Sequence, residues 1–221
     1  MLKAKNIIKS YGTLDVLKGV DIEIPRGEVI SIVGSSGAGK STLLHILGTL
    51  DEPDVGDVYL DGMNISNLKK NELARIRNEK MGFIFQFHNL LPEFTALENI
   101  CIPGFIGKKD DRQLKNRAED LMKILGIQDR RDHKPSELSG GEQQRVAVAR
   151  SLINSPQIIF ADEPSGNLDS KNARELHQLF FDLKQKFHQT FVIVTHNEEL
   201  ATMADRRLVM ADGMKIGRAH V

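Results

Sequence analysis

The chain has 221 residues, with 30 basic and 30 acidic side chains, a formal net charge of zero and 40% hydrophobic residues. That length supports one domain with a real core, and the charge balance argues against a general nucleic-acid binder, which needs a basic face. A single cysteine, Cys101, makes no intrachain disulfide and no cysteine-based metal site, MLKAKNIIKSYG at the N-terminus lacks a secretory core, and no run reaches the roughly 20 apolar residues of a membrane helix; the expectation is a protein of a reducing, cytosolic compartment that does not itself cross a membrane.

In chain order, VDIEI (20–24) and VISIV (29–33) read as strands, followed by a helical period over 40–49. DVYL (57–60) and the turn DGMN (61–64) continue the strand-rich opening third, which predicts a small antiparallel sheet. GFIF (82–85) is the next strand. Residues 87–155 are mostly helical in pattern, with periods at 113–126 and 141–153, and read as an inserted lobe. QIIFA (157–161), a helix over 171–187, FVIV (191–194) and RLVMA (207–211) close the chain. The runs at 29–33, 158–161 and 191–194 are continuously apolar, as strands covered on both faces are in a parallel sheet. The expectation is a single α/β domain over 1–221. Its mostly parallel core, flanked by helices, comes from 1–86 and 156–221, with an N-terminal antiparallel β subdomain, and the helical lobe spans 87–155.

Between the strand at 29–33 and the helix at 40–49 lies GSSGAGKST: Gly34, Ser35, Ser36, Gly37, Ala38, Gly39, Lys40, Ser41 and Thr42. This matches G-x-x-x-x-G-K-[ST] between a strand and a helix, the context a phosphate loop requires. The glycines let backbone N–H groups turn toward phosphate oxygens, and the helix adds its positive dipole end. Lys40 is expected to reach the β- and γ-phosphates and Ser41 to ligate Mg²⁺. IIFADEP (158–164) places Asp162 and Glu163 at a strand's C-terminal end, where open α/β sheets bind ligands. Asp162 is assigned to Mg²⁺ and Glu163 to the attacking water.

LSGGEQQRVAVAR (138–150) puts Ser139, Gly140 and Gly141 at the start of a helix, a second anion-binding end. Val146, Ala147 and Ala149 are expected to pack that helix while Arg145 and Arg150 stay solvated. One chain then carries two phosphate-facing elements; if they cannot meet within it, a second copy must close the site. His45, His88, His133, His177, His188 and His220 carry no motif and read as structural or surface residues.

At this point the chain resembles, over nearly its whole length, the nucleotide-binding domain of ABC transporters, a P-loop NTPase fold, with LSGGEQQR as the signature motif. The resemblance implies that Tyr11 in KSYG stacks on adenine and that Gln86 touches Mg²⁺ and the water. It also implies that Asp169 ends the D-loop SGNLD (165–169) and that His196 contacts the γ-phosphate. It implies ATP and Mg²⁺ as ligands and a head-to-tail homodimer in which Ser139, Gly140 and Gly141 of one copy cap the ATP of the other. A separate membrane permease would dock near 87–106, where Phe87, Leu90, Leu91, Phe94, Leu97, Ile100 and Ile102 form an apolar set, half of it expected in the core. The implied location is peripheral, on the cytoplasmic face of the inner membrane, and no nucleic-acid partner is expected. FQFHNLLPEFTALENI and ADEPSGNLD resemble the subgroup of lipoprotein-releasing, macrolide-exporter and FtsE-type ATPases, the first being nearest. The alternative within it is an FtsE-type scaffold that recruits a division machine without transporting anything.

Overall fold

The computed structural model describes residues 1–219, so His220 lies outside the described residues. The chain opens with β1 (Leu2–Tyr11) and β2 (Leu14–Ile24), which pair antiparallel; β1 also pairs with β4 (Val55–Leu60), and β5 (Met63–Asn64) completes a sheet of order β2-β1-β4-β5. This is the expected antiparallel subdomain, but β1, the strand between β2 and β4, has no clear signature in the sequence. The reason is a bulge: Asn6 adopts a left-handed φ of 48° and the register shifts between Ala4 and Ile7, so the in–out alternation breaks mid-strand.

The second sheet has order β10-β9-β3-β8-β7-β6. Here β3 is Val29–Val33, β6 Met81–Phe85, β7 Ile158–Asp162, β8 Thr190–Val194, β9 Arg206–Ala211 and β10 Met214–Ala219. The pairs β3·β8, β3·β9, β6·β7 and β7·β8 are parallel, and only β10 pairs antiparallel, on β9. The apolar runs explain why. Along β7, Ile159 and Ala161 face one core while Ile158 and Phe160 face another; along β8, Phe191 and Ile193 divide from Val192 and Val194 in the same way. Each strand is buried on both faces and needs a layer on each.

One layer is α1 (Lys40–Leu47) with the antiparallel sheet, which share a core with Ile30 and Ile32. The other contains α3 (Ala96–Ile106), α4 (Asp111–Ile124), α5 (Gly140–Leu152), α6 (Ser170–Phe187) and α7 (Glu198–Met203). The lobe's interior is therefore continuous with the cover of the sheet. Helix α2 (Lys70–Lys80), which leads into β6, is additional to the helices read from the sequence, as are α3 and α7. Helix starts carry caps: Thr95 with Glu98, Asp110, Ser139 with Glu142, Asp169 and Asn197 each accept a backbone N–H of the first turn.

Within 87–106 the apolar set divides. Leu97 and Ile100 are core, whereas Phe87, Leu91 and Phe94 are exposed. The irregular chain before α3 is held by one buried side chain. The Asn99 amide donates to the carbonyls of Leu91, Phe94 and Thr95 at 3.0–3.1 Å, and its Oδ1 accepts from Leu91 N–H at 2.8 Å. Asn99→Ala should therefore lower stability by about 1–3 kcal/mol in urea unfolding, the cost of leaving partly buried backbone groups without partners. A midpoint unchanged from the parent would show that the loop is held by its apolar contacts instead.

Candidate active site

Strand β3 ends at Val33, and the chain makes a sharp loop before α1. Gly34, Gly37 and Gly39 have φ of 150°, 78° and 89°, a region that side chains rarely adopt. At Gly34 a Cβ would lie 2.1 Å from the Met210 carbonyl oxygen, so that position admits only glycine. Ser35, Ser36 and Gly37 are exposed, while Ala38 and Lys40 are buried. The Lys40 ammonium turns back over the loop and donates to the carbonyls of Gly34 (2.9 Å) and Ser35 (2.8 Å). A buried cation is thus held at the mouth of a loop whose next residues head a helix, a strongly anion-attracting arrangement. Thr42 follows in the first turn of α1.

The Ser41 hydroxyl donates to Asp162 Oδ1 at 2.9 Å, joining the start of α1 to the end of β7. His45 stands one helical turn beyond Ser41, with Nε2 3.7 Å from the other Asp162 oxygen. The i, i+4 spacing from Ser41 to His45 was visible in the sequence and places both on one face of α1; read as a surface or structural histidine, His45 in fact borders the site. The serine and carboxylate oxygens make a hard donor set. Among the described residues no cluster of three or more His, Cys, Asp or Glu side chains forms a metal cage. Two protein oxygens with room for phosphate and water suit Mg²⁺, which keeps much of its own hydration.

Glu163 follows Asp162 in a left-handed conformation, φ 46°, unusual for a residue with a side chain. Its backbone N–H bonds the Val194 carbonyl at 2.9 Å. Its Oε2 accepts the His196 N–H at 3.2 Å, and its buried Oε1 lies 3.3 Å from His196 Nε2 without hydrogen-bond geometry. Burial pushes the Glu163 pKa above its ordinary value, against the opposing pull of the His196 amide and ring. A carboxyl poised upward in this way suits a proton acceptor. Gln86 leaves β6 alongside. Its amide donates to Asn167 Oδ1 (3.1 Å), and Asn167 donates back to the Gln86 carbonyl (3.0 Å). Asn167, which lies within SGNLD but has no role assigned from the sequence, thus ties the 165–169 loop to Gln86.

Tyr11, at the end of β1, has its ring about half exposed with Lys9 Nζ 5.2 Å from the centroid. Its hydroxyl donates to Asp51 and lies near Thr42, which brings the ring beside the phosphate loop. Asp169 is engaged locally: Oδ1 accepts from the N–H groups of Lys171 and Asn172, and Oδ2 from the Asn172 amide.

Ser139, Gly140 and Gly141 head α5 at a separate place. Ser139 and Gly140 are exposed, and Gly140 and Gly141 lie against Leu168 and Asn172, beside the 165–169 loop. Glu142 Oε2 accepts from both the Ser139 N–H (2.8 Å) and hydroxyl (2.9 Å), and Arg130 meets its other oxygen at 2.6 Å. That guanidinium, with the Ser139 amide, lowers the Glu142 pKa to about 2. The S-x-x-E spacing in LSGGE is the sequence signal for this capping box. Arg145 and Arg150 are not solvated as expected. Arg145 pairs with Glu175 and the Leu125 carbonyl, and Arg150 donates to the carbonyls of His88 and Asn89 at 2.7 and 2.6 Å. The main-chain carbonyls of Leu125, His88 and Asn89 draw the two guanidinium groups inward.

A family model described as ABC transporter matches residues 17–166. The chain is 62% identical over 216 residues to the lipoprotein-releasing system ATP-binding protein LolD of Cytophaga hutchinsonii, covering 98% of this chain and 99% of the relative. It is 59% identical over 213 residues to the protein of the same name from Bacteroides fragilis, covering 96% and 99%. Among solved structures, the ATP-binding cassette MJ0796, a dimer in a post-hydrolysis state bound to ADP and Pi, is 41% identical with a TM-score of 0.90, over 100% of this chain and 98% of that one.

The raised Glu163 pKa has a consequence for stability. Below its ordinary pKa of 4.5 the carboxyl is protonated in both folded and unfolded chains. As pH rises through 4.5 toward the folded value, the unfolded chain releases its proton first, so stability is lost and stays lost at neutral pH. Glu163→Gln should therefore melt at a higher temperature than the parent above pH 7, with the gain vanishing in acid. A variant no more stable than the parent at pH 8 would contradict this.

Proposed function

Because the chain belongs to the ABC transporter family, we propose that it is the ATP-binding and ATP-hydrolysing subunit of a lipoprotein-releasing system. The observation that carries the enzymatic reading is the convergence of Lys40, Ser41, Asp162, Glu163 and His196 at one edge of the parallel sheet. The identities of 59–62% to lipoprotein-releasing ATPases over nearly the full chain support the cargo class over a division scaffold.

In this reading the loop amides of 34–42 and the Lys40 ammonium bind the phosphates, Lys40 exchanging its loop carbonyls for phosphate oxygens. Ser41 and Asp162, with Gln86, hold Mg²⁺, which supplies charge neutralisation at the phosphate oxygens. Glu163 accepts the proton of the attacking water. His196 fixes the Glu163 carboxylate through its N–H and faces the γ-phosphate with its ring. The exposed face of Tyr11 carries the adenine. The exposed Ser139 and Gly140, with the half-buried Gly141, stand apart from this loop and complete the site of a second copy. Asp169 shapes that surface by capping α6 beside them.

A membrane permease is the mechanical partner. Its docking place is a cleft of about 420 Å³ between α2, β6, α3 and α5, lined by Phe83, Phe85 and Ile106 and continuous in sequence with the exposed Phe87, Leu91 and Phe94. Among the described residues no helix is long and apolar enough to cross a membrane. The subunit sits peripherally on the cytoplasmic face of the inner membrane through that partner.

Glu163→Gln should bind ATP as the parent does while hydrolysing it roughly 10²–10⁴ times more slowly, the usual worth of a general base. With the permease present, release of lipoprotein from membrane vesicles should stop as well. Hydrolysis at the parent rate would remove Glu163 from its role, and active hydrolysis without any release would remove the cargo assignment. Ser139→Arg removes the N-cap of α5 and should lower stability by about 0.5–2 kcal/mol, while the folded protein that remains should show no turnover at any ATP concentration. Full activity in that variant would argue for a self-sufficient monomer.

A further inference from the structure

The chain turns sharply after Glu163, and two buried side chains that the chemistry above does not use grip the turn. A bond from the Gly166 N–H to the Glu163 carbonyl (3.0 Å) closes it. From α5, Gln144, fully buried, donates to the Pro164 carbonyl at 2.7 Å. From α6, His177, 1% exposed, places Nε2 3.0 Å from the Ser165 hydroxyl. We propose that His177 is a positioning residue for Glu163, its hydrogen bond to Ser165 holding the turn that aims the carboxylate.

His177 is a costly side chain at this place. Its Nδ1 is buried without a hydrogen-bond partner. A leucine or phenylalanine would fill the same space without burying an unpaired polar atom. Bare lone pairs are tolerated better than bare N–H groups, so the proton sits on Nε2 and is donated to Ser165. Burial lowers the ring's pKa, with Glu199 of α7 pulling the other way, so the imidazole is neutral at pH 7 and keeps this role. Glu199 is itself drawn toward Arg174 on α6, 3.9 Å away.

The leverage follows from the backbone. Ser165 is separated from Glu163 only by Pro164, whose φ is locked by its ring. Glu163 holds a left-handed conformation that persists only where its surroundings over-determine it. Movement at Ser165 is therefore passed to Glu163 rather than absorbed between them. The site tolerates little of this, since a displacement of about 1 Å at a reacting group costs about 10²-fold in rate.

The inference rests on reading Glu163 as the base, and the test separates the two. Steady-state ATP turnover is measured for His177→Leu, His177→Gln, Ser165→Ala, the Leu/Ala pair and Glu163→Gln, each normalised to its folded fraction from thermal melts. His177→Leu and Ser165→Ala should each lower kcat by about tenfold with KM for ATP within about twofold of the parent, a part of the loss expected for misplacement. His177→Gln, whose amide can donate to Ser165, should retain turnover. The pair should be no slower than the slower single variant, because both remove one interaction. Parent-like kcat in His177→Leu or, if that variant does not fold, in Ser165→Ala would overturn the proposal. So would an equal loss in His177→Gln, or losses that multiply in the pair. If Glu163→Gln is inactive while these results appear, only the positioning role falls; if Glu163→Gln turns over normally, the base assignment itself fails.

Discussion

The site depends on register in the parallel sheet. Phe85 of β6 pairs with Asp162 of β7, Asp162 with Val194 of β8, and Val194 with Ile32 of β3. One step beyond this row, the chain carries Gln86, Glu163 and the segment leading to His196, and Gly34 follows two residues past Ile32. Four loops from distant parts of the sequence therefore open along one edge. A slip of one residue in any strand would turn its side chains to the opposite face and carry its loop about 3.3 Å along the sheet. Each strand is buried on both faces, in two cores with different partners, so the apolar pattern opposes such a slip from both sides.

The same edge carries the structure's local costs. Glu163 combines a left-handed backbone with a carboxylate partly withdrawn from water. Lys40 is buried and satisfied by the carbonyls of its own loop, so its ammonium has partners before any phosphate arrives. Gly34 sits where a methyl group would meet a strand carbonyl. Conformations of this kind persist when a rigid surround over-determines them. Here the surround is the continuously apolar β3, β7 and β8 and the helices packed across them.

Helix α5 links the regions that act on nucleotide. Its first residue is capped by Ser139, in the exposed anion-binding end. Its middle reaches the Glu163 turn through Gln144. Its last turn holds the loop after Gln86 through Arg150, next to the cleft assigned to the membrane partner. A rigid rod touching all three gives a motion at one a direct physical route to the others. The contacts at its two ends are polar and partly exposed, and the one in the middle is buried, so the middle is the part that resists change.

Much of this was legible in the sequence because it is written locally. GSSGAGKST between two apolar runs, the acidic pair ending IIFADEP, the S-x-x-E of LSGGE and the two-sided apolar strands each specify their own conformation through short-range rules of glycine, caps and periodicity. Tertiary structure alone decided what depends on partners far along the chain. It decided that β1 is a strand despite the bulge at Asn6, because β2 and β4 supply its hydrogen bonds from either side. It buried Leu97 and Ile100 while leaving Phe87, Leu91 and Phe94 in solvent, drew Arg150 onto loop carbonyls, and brought Asn167 to Gln86 and His45 to Asp162. A residue's own type and spacing set the conformation it prefers, but which group it meets is settled only when distant segments pack, and no local pattern contains that information.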